Sequence, residues 1–279
     1  MTTVDIAHLR EWVGNSHTDH DILSSRHARL MAATLGRRQS DLVEGAPLPP
    51  LWHWLYFLSG EPPAALGRDG HPARGGFLPP VTLPNRMWAG GQLEFHGPVP
   101  LDARVEKRST VVSVDHKHGR SGELVFVKVL HELLHEGDKV LTEYHDIVYK
   151  EATAGGSVVA SAEMPIAQHS RPIKPDSTML FRYSALTFNG HRIHYDADYC
   201  REVEGYSNLV IHGPLNATLL AAFAQEVGGR PPRTFRYRGL KPSILGSELT
   251  LSAVSDGDQT VLWVALPDGT VSMRAEATF

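Results

Sequence analysis

The segment from His212 to Phe223 reads HGPLNATLLAAF, and it decides the fold. Gly213 suits the N-cap of a helix and Pro214 its first turn, where a missing N–H costs nothing. An apolar stripe at helical spacing follows, formed by Leu215, Leu219, Leu220 and Phe223. The sequence therefore predicts a buried central helix from Pro214 to about Val227, with its free N–H groups and positive dipole end at Gly213.

Strands are predicted on both sides of this helix. The runs 233–240, 247–254, 259–266 and 270–279 are rich in β-formers and are punctuated by Asp-Gly turns at 256–257 and 268–269. The apolar run Met179–Leu186 predicts one more strand before the helix. An antiparallel sheet that curves around one helix follows from this order.

The first half of the chain has similar ingredients. The β-rich runs 105–114, 124–134 and 140–149 predict an antiparallel meander with turns at 115–119 and 136–138. Residues 51–58, apolar on all sides, predict a buried helix, and residues 1–45 predict helical arms. The Gly- and Pro-rich stretch 61–91 is interpreted as an ordered loop because it carries Phe77, Met87 and Trp88.

A short internal repeat links the two halves. Residues 98–105 and 242–249 share a proline, a leucine, a turn residue and a strand residue at the same spacings, about half the chain apart. We therefore predict an α+β double hot-dog fold, in which a curved antiparallel sheet wraps one helix twice. The expected units are 1–150, which includes the helical arms, and 177–279, joined by a linker at 151–176. Two unrelated α+β units remain the alternative.

Composition excludes several classes of function. The 279 residues include 27 Lys and Arg against 31 Asp and Glu, a net charge of −4, so neither nucleic acid nor an anionic membrane is an expected partner. Cys200 is the only cysteine, which excludes an internal disulfide and fits the cytoplasm. The start of the chain has no signal-peptide pattern and no run of about 18 apolar residues occurs. A cytoplasmic protein that does not span a membrane is expected.

The segment His131–His135 reads HELLH and matches the zinc-peptidase pattern. That pattern works only on a helix, where residues four apart share a face. The preceding run, 124–130, is dense in β-branched residues, and in a strand the two histidines would lie about 13 Å apart. We therefore favour an edge strand with polar histidines and no metal, with a zinc peptidase as the alternative.

A second polar cluster precedes the central helix. Asn189, His191, His194 and Asp196 fall within eight residues around Gly190, and loops on a rigid scaffold commonly carry chemistry. A histidine has a pKa near neutrality, and a helix N-terminus stabilises a developing oxyanion. These residues predict acid–base catalysis beside Gly213. In the alternative, Asn189 only forms a turn and His194 only caps a carbonyl.

These motifs resemble those of the R-specific enoyl-CoA hydratases and dehydratases of the MaoC-like hot-dog group. Their signature is Asp-x-Asn-Pro-x-His followed by a helix that begins with His-Gly. Here Asn189 stands at the Asp position, His194 at the His position, and His212-Gly213 begins the helix. Residues 188–195, 49–58 and 86–91 resemble the branch that contains hydroxyacyl-thioester dehydratase type 2, mesaconyl-C4-CoA hydratase and itaconyl-CoA hydratase.

The resemblance implies addition of water to an enoyl thioester, or the reverse reaction. It also implies that 177–279 is the catalytic unit and that 1–150 is a degenerate unit that accommodates the substrate. His194 would take a proton from water, Gly213 N–H would hold the thioester oxygen, and Asn189, which cannot ionise, would orient the water. Arg86, Arg182 or Arg192 would pair with a free carboxylate of a short dicarboxylic acyl group. Residues expected to bind the remaining substrate or its CoA are His191, His212, Arg236 and Arg238.

The expected substrate is an acyl-CoA, with no cofactor besides that CoA and no metal, and the expected assembly is a homodimer. Mesaconyl-C4-CoA, itaconyl-CoA and a straight-chain thioester on acyl carrier protein remain open as substrates. A non-catalytic subunit that binds acyl thioesters is a further alternative. No phosphate-binding loop, dinucleotide fingerprint or Gly-x-Ser-x-Gly motif supports redox or serine-hydrolase chemistry.

Overall fold

A computed structural model describes residues 4–119, 122–151 and 163–279. In these residues ten antiparallel strands form one sheet, in the order β1-β3-β4-β5-β2-β7-β10-β9-β8-β6. The strands are β1 (Ser16–Ile22), β2 (Asn85–Phe95), β3 (Arg104–Gly119), β4 (Gly122–His135), β5 (Asp138–Lys150), β6 (His169–Ile173), β7 (Thr234–Gly239), β8 (Leu249–Asp256), β9 (Gln259–Ala265) and β10 (Val271–Thr278).

The sheet consists of the same five-strand pattern twice. Counted from its two outer edges, the order is β1-β3-β4-β5-β2 on one side and β6-β8-β9-β10-β7 on the other. The halves join where β2 pairs with β7, for example Gly91 with Tyr237. Isolated bridges also correspond, because Pro47 pairs with Pro100 and Val210 with Ile244. The α+β double hot-dog architecture predicted from the short repeat is confirmed.

The described residues contain five α-helices: α1 (Ile6–Leu9), α2 (Ser25–Thr34), α3 (Ser177–Leu186), α4 (Ala197–Glu202) and α5 (Gly213–Gly228). Helix α5 is the predicted central helix and packs against β7 to β10. Leu215, Leu220 and Phe223 are buried there, in a core that extends into the first half of the chain. The chain leaves the helix at Gly229, whose φ of 68° favours glycine.

The segment Met179–Leu186 is a helix, and the predicted strand is wrong. Its buried residues, Leu180, Tyr183 and Ser184, follow helical spacing. The carboxylate of Asp176 accepts a hydrogen bond of 2.7 Å from the Met179 N–H and caps the helix. The apolar and aromatic composition of this segment favours a strand, whereas the Asp176 cap and the spacing of the buried residues indicate the helix.

The predicted helix at 51–58 is also wrong. Only a 3-10 turn, Trp52–Leu55, is present. Leu51 and Phe57 have φ of 68° and 57°, and these left-handed residues stop a helix on both sides. The bridge at Pro47 places this turn where α5 lies in the second half, so the first unit holds a shortened equivalent of the central helix.

Three strands lie where the sequence predicts none: β1, β2 and β6, the last of which lies in the predicted linker. β1 interrupts the N-terminal residues predicted as helical, and it pairs with β3 at the sheet edge. β2 begins inside the predicted loop 61–91 and pairs with both β5 and β7. Strands with few consecutive apolar residues give a weak periodic signal in the sequence, and their pairing with neighbouring strands stabilises them instead.

The proposed division at 151–176 remains a proposal. Much of that linker, including Gly155, lies outside the described residues. β6 lies inside the same range and pairs with β8, so the sheet of the second unit begins before residue 177. Among the described helices, none is both long enough and apolar enough to cross a bilayer.

Candidate active site

The elbow loop, residues 187–194, follows α3 and leads to the site. Phe188 has a φ of 49°, which turns the chain sharply, and Asn189 N–H donates to the Ser184 carbonyl at 2.8 Å. A 3-10 turn, Arg192–His194, then carries His194 inward, and α4 begins after Asp196, whose side chain caps it at 2.9 Å. The loop is therefore held by backbone and capping bonds at both ends.

His194 is buried and oriented. Its Nδ1 donates to the Val210 carbonyl at 2.7 Å, and only 6% of the residue is exposed. Burial lowers the pKa of His194 to about 4 despite that hydrogen bond, so the ring is neutral at pH 7. Because Nδ1 carries the proton, Nε2 has a free lone pair, which is the state that a general base needs.

His212 and Gly213 lie beside His194 at the start of α5. The His194 and His212 rings stack with centroids 3.6 Å apart, and Ser184 Oγ bonds His212 Nε2 at 2.8 Å. His212 is fully buried, and burial lowers its pKa well below the usual value. Gly213 begins the helix, so its N–H has no partner within the helix and is available to an oxygen atom.

Trp88 from the first unit covers the start of α5. A Cβ at Gly213 would lie 3.2 Å from Trp88 Cε3, so a larger residue there would press against the indole ring. Several polar atoms around this contact are buried without a hydrogen-bond partner among the described residues: Trp88 Nε1, His145 Nε2, His212 Nδ1 and Tyr237 Oη. These groups are available to form hydrogen bonds with a polar ligand.

Asn189 makes a local contact. Its Oδ1 accepts a hydrogen bond of 3.0 Å from the His191 N–H. This is the turn expected in the alternative interpretation of Asn189, and it occupies one lone pair of the oxygen that is predicted to orient the water. The structure thus places Asn189, His191 and His194 in one loop, and it gives Asn189 a structural contact.

A further part of the site comes from the first unit and is not predicted by the sequence analysis. The Asp69 carbonyl accepts a hydrogen bond of 2.9 Å from the Arg192 N–H, so the turn 67–71 docks onto the elbow loop. The His71 and His191 rings have centroids 4.3 Å apart. Donor atoms of Asp69, His71 and His191 lie within 4.8 Å of one another, a spacing that can accommodate a metal ion. The sequence Asp69-Gly70-His71 within a predicted loop is the feature that could have indicated this part of the site.

The predicted arginines divide into three groups. Arg182 lies exposed on α3, and Arg192 pairs with Asp196 at 2.7 Å and covers the Tyr199 ring. Arg86 lies at the start of β2, where its charge lowers the pKa of His145, although burial is the larger cause. Arg236 and Arg238 share the exposed face of β7 as predicted, and no carboxylate pairs with either in the described ranges.

A cavity of about 340 Å³ lies in the first unit next to the elbow loop. Thr187 and Phe188 form one wall, and Pro72, which follows His71, forms another. The lining residues that carry an imidazole, an amine or a carboxylate are His53, Lys107, His131, Glu143 and His145. The buried Glu143 carboxylate accepts hydrogen bonds from His53 Nε2 at 2.9 Å and from Trp54 Nε1 at 3.0 Å.

The HELLH segment lies in β4, so the strand prediction is confirmed. β4 pairs with β3 and β5 and is therefore an inner strand, which corrects the expected edge position. His131 bonds Ser109 Oγ at 2.8 Å and lines the cavity, whereas His135 Nδ1 contacts the Arg104 carbonyl. The helical geometry that a zinc peptidase requires is absent here.

The sequence model of the hydroxyacyl-thioester dehydratase type 2 family matches residues 51–245. The chain belongs to this family. Among curated proteins, the mesaconyl-C4-CoA hydratase of Chloroflexus aurantiacus is 39% identical over 266 residues, which cover 95% of each chain. The residues quoted above for the resemblance fall largely inside the matched range, so the predicted family is confirmed, and members of the hydroxyacyl-thioester dehydratase type 2 family are lyases.

Solved structures agree with the double hot-dog fold. A MaoC-like dehydratase from Phytophthora capsici aligns with a TM-score of 0.73 over 99% of this chain and 98% of its own, at 14% identity. A Mycobacterium tuberculosis protein with a double hotdog fold aligns with a TM-score of 0.58 over 95% and 96%, also at 14% identity. At such identities these structures support the architecture of this hydroxyacyl-thioester dehydratase type 2 family member.

Proposed function

We propose that this lyase adds water to the α,β double bond of a short dicarboxylic enoyl-CoA, such as mesaconyl-C4-CoA or itaconyl-CoA, or removes it from the hydrated product. The observation that carries the proposal is the neutral His194 with its free Nε2 beside the N–H of Gly213. Water and the enoyl thioester supply every atom of the product, so the proposed reaction needs no cofactor besides the CoA of the substrate.

In the proposed reaction, His194 Nε2 takes a proton from water while the oxygen bonds to Cβ. The electrons of the double bond move to the thioester oxygen, which the Gly213 N–H stabilises as an enolate. Transfer of that proton from His194 to Cα completes the addition and restores the neutral ring. His194→Ala should lower kcat at least ~10²-fold, the usual effect of a lost acid–base group, in a variant that still folds. Near-normal kcat in this variant would remove His194 from the mechanism.

The cavity of the first unit supports a short, polar acyl group. Its volume of about 340 Å³ is small, and five of its lining residues are ionisable. Lys107 is the cation among these lining residues, and its ammonium group is available for a free carboxylate. A long alkyl chain would bury these groups without hydrogen bonds, which is costly.

A substrate panel tests the acyl group. Loss of enoyl-thioester absorbance is measured for mesaconyl-C4-CoA, itaconyl-CoA, crotonyl-CoA, a C12 enoyl-CoA and crotonyl-acyl carrier protein. We expect the highest kcat/KM for a dicarboxylic substrate. A preference for the C12 chain or for the carrier protein would contradict the proposal and favour a dehydratase of fatty-acid synthesis, and inactivity on the whole panel would favour a non-catalytic binding subunit.

Lys107→Met tests carboxylate recognition. Lys107 Nζ lies 5.0 Å from the Phe57 ring centroid, and Lys117 on the same strand lies 5.1 Å from that of Phe126, outside the cavity. The Lys107 change should raise KM for a dicarboxylic substrate and leave KM for crotonyl-CoA unchanged. Lys117→Met is the matched control. Equal effects on both substrates would show that Lys107 does not bind the carboxylate.

We further propose that Arg236 and Arg238 bind phosphates of CoA, since guanidinium groups suit phosphate oxygens. A double change to Gln should raise KM for a CoA thioester but not for the N-acetylcysteamine thioester of the same acyl group. Arg230→Gln is the control, because Arg230 already pairs with Asp258 at 3.3 Å. An unchanged KM for the CoA substrate would contradict the assignment. Location in the cytoplasm and a homodimer stay predictions.

A further inference from the structure

Hydration requires an acceptor for the attacking water besides His194, and Asn189 is poorly placed to provide it. Its Oδ1 already accepts the His191 N–H at 3.0 Å, and its other polar atom, Nδ2, only donates. An amide also carries no negative charge, so it cannot polarise the water as a carboxylate does. The elbow loop of the second unit therefore lacks an anionic group at the position where the family signature has an aspartate.

The first unit brings a carboxylate and an imidazole to this place. Asp69 Oδ1 accepts the His71 N–H at 3.1 Å, and Asp69 Oδ2 lies 3.2 Å from His71 Nδ1. With Nδ1–H bonded to the carboxylate, the lone pair of His71 is on Nε2. This is the arrangement in which a carboxylate fixes the tautomer of a catalytic histidine, and it parallels the Val210 carbonyl at His194.

The turn that carries this pair is built to contact the elbow loop. Arg192 N–H donates to the Asp69 carbonyl, and Arg192 Nη1 contacts the Arg68 carbonyl at 3.3 Å. A Cβ at Gly70 would lie 2.1 Å from the Gly190 carbonyl oxygen, and Gly70 has a φ of +85°. Glycine is thus required at residue 70 both by its backbone conformation and by the lack of space for a Cβ. The contact between Gly70 and Gly190 places the centroid of the His71 ring 4.3 Å from that of His191.

The charge states fit the same role. Burial lowers the pKa of His71, and the charges of Arg86 and Arg74 lower it further against the opposing effect of Asp69, so the ring is neutral at pH 7. Burial raises the pKa of Asp69, but the hydrogen bonds from His71 outweigh it and the pKa falls well below its usual range. His191, also neutral, has a pKa lowered to about 3 by burial and by His71.

We propose that His71, oriented by Asp69, is a second catalytic residue that accepts the other O–H of the attacking water. The inference rests on the proposed hydratase function. One O–H bond of the water breaks and its proton goes to His194; the second O–H stays intact and points to His71 Nε2. The C–O bond forms at Cβ, the electron pair moves to the enolate oxygen, and the proton on His194 passes to Cα. His71 gains and loses no proton.

The test compares His71→Ala and Asp69→Asn with wild type on the best substrate of the panel. His71→Ala should lower kcat about 10- to 100-fold with KM within about twofold, and imidazole in the assay should restore part of kcat. Asp69→Asn should give an intermediate kcat, because an amide oxygen can still accept from His71 Nδ1. A merely structural role predicts no rescue by imidazole.

His17→Ala is the matched control. His17 Nε2 bonds Asp19 Oδ2 at 2.8 Å, with the same spacing of two residues, but on the exposed strand β1. It should keep wild-type kcat. The inference is overturned if His71→Ala keeps kcat within twofold of wild type, or if its lost kcat comes with a lowered melting temperature and no imidazole rescue.

The remaining outcomes are also decisive. Full activity of wild type, loss in His194→Ala and no loss in His71→Ala would leave the proposed function standing and reject only this inference. Inactivity of wild type on the whole panel would reject both. Stoichiometric zinc in the purified protein, with activity lost to a chelator and regained with zinc alone, would assign Asp69, His71 and His191 to a metal site and overturn the role of His71 as a water acceptor.

Discussion

His194 and His212 stack ring on ring, with centroids 3.6 Å apart and planes inclined by 20°. Both rings are neutral because burial lowers both pKa values. The uncharged His212 ring therefore packs flat against the His194 ring and holds it in the orientation in which it accepts a proton. The stack joins the elbow loop to the first residue of the central helix, and so couples the proposed base to the proposed oxyanion site.

Ser184→Ala tests whether the position of the His212 ring depends on its hydrogen bond to Ser184. Ser184 Oγ is bonded to His212 Nε2, while His212 Nδ1 has no partner among the described residues, so the variant leaves a fully buried imidazole without a hydrogen bond. The free energy of unfolding should fall by about 1–3 kcal/mol, and kcat should fall with it. Urea denaturation measures the first. Ser40→Ala, at an exposed serine bonded to Asp41, is the control, and equal stabilities of the two variants would contradict the role of this bond.

Gly213→Ala tests the contact with Trp88. The added Cβ would lie 3.2 Å from Trp88 Cε3, so the indole must shift away from the oxyanion site. We expect a kcat at least about tenfold lower, in line with a displaced oxyanion donor, and a change in tryptophan fluorescence. Gly76→Ala is the control, since its Cβ would meet open space. The smaller side chain of Trp88→Leu in the same chain should restore part of kcat; its failure to do so would point away from a clash.

Asn189→Asp tests what the amide contributes. Aspartate can accept the same hydrogen bond from the His191 N–H, so the loop should keep its shape. The new negative charge favours a protonated His194, and the acid limb of the kcat/KM profile should move to higher pH, with kcat at pH 7 equal to or above that of wild type. A kcat far below wild type with an unchanged fold would show that the amide itself is needed.

The stability of the protein should depend on pH through His194. Its folded pKa of about 4 lies below the unfolded value near 6.5, so the unfolded chain binds the proton more tightly. The contribution is complete above pH 6.5 and is lost as the pH falls towards 4. Between pH 6.5 and 5.0 the loss for this one group is about 2 kcal/mol. Urea titrations of wild type and His194→Gln measure it; the variant should lose about 2 kcal/mol less, and parallel losses would contradict the assigned pKa.

The sequence was a good guide where local pattern and chemistry agree. The stripe after Gly213 predicts α5, the Asp-Gly turns predict the β8–β9 and β9–β10 hairpins, and the β-branched run before His131 excludes a helical zinc motif. It was a poor guide where partners decide the structure. The segment 179–186 has strand-like composition but is capped as a helix by Asp176, and Leu51 and Phe57 adopt left-handed conformations that their side chains disfavour.

The sequence by itself determined the repeated α+β unit, the helix that begins at Gly213 and the loop that carries His194, because each depends on spacing along a short segment. Only the tertiary structure decided which side chains meet there. The pairing of β2 with β7 brings Trp88 over Gly213, and the docking of Gly70 on Gly190 brings Asp69 and His71 beside His191. The residues of each pair lie over 100 positions apart in the chain. Their contacts depend on a shared sheet and on two glycines, and the periodicity of a short segment contains no information about them.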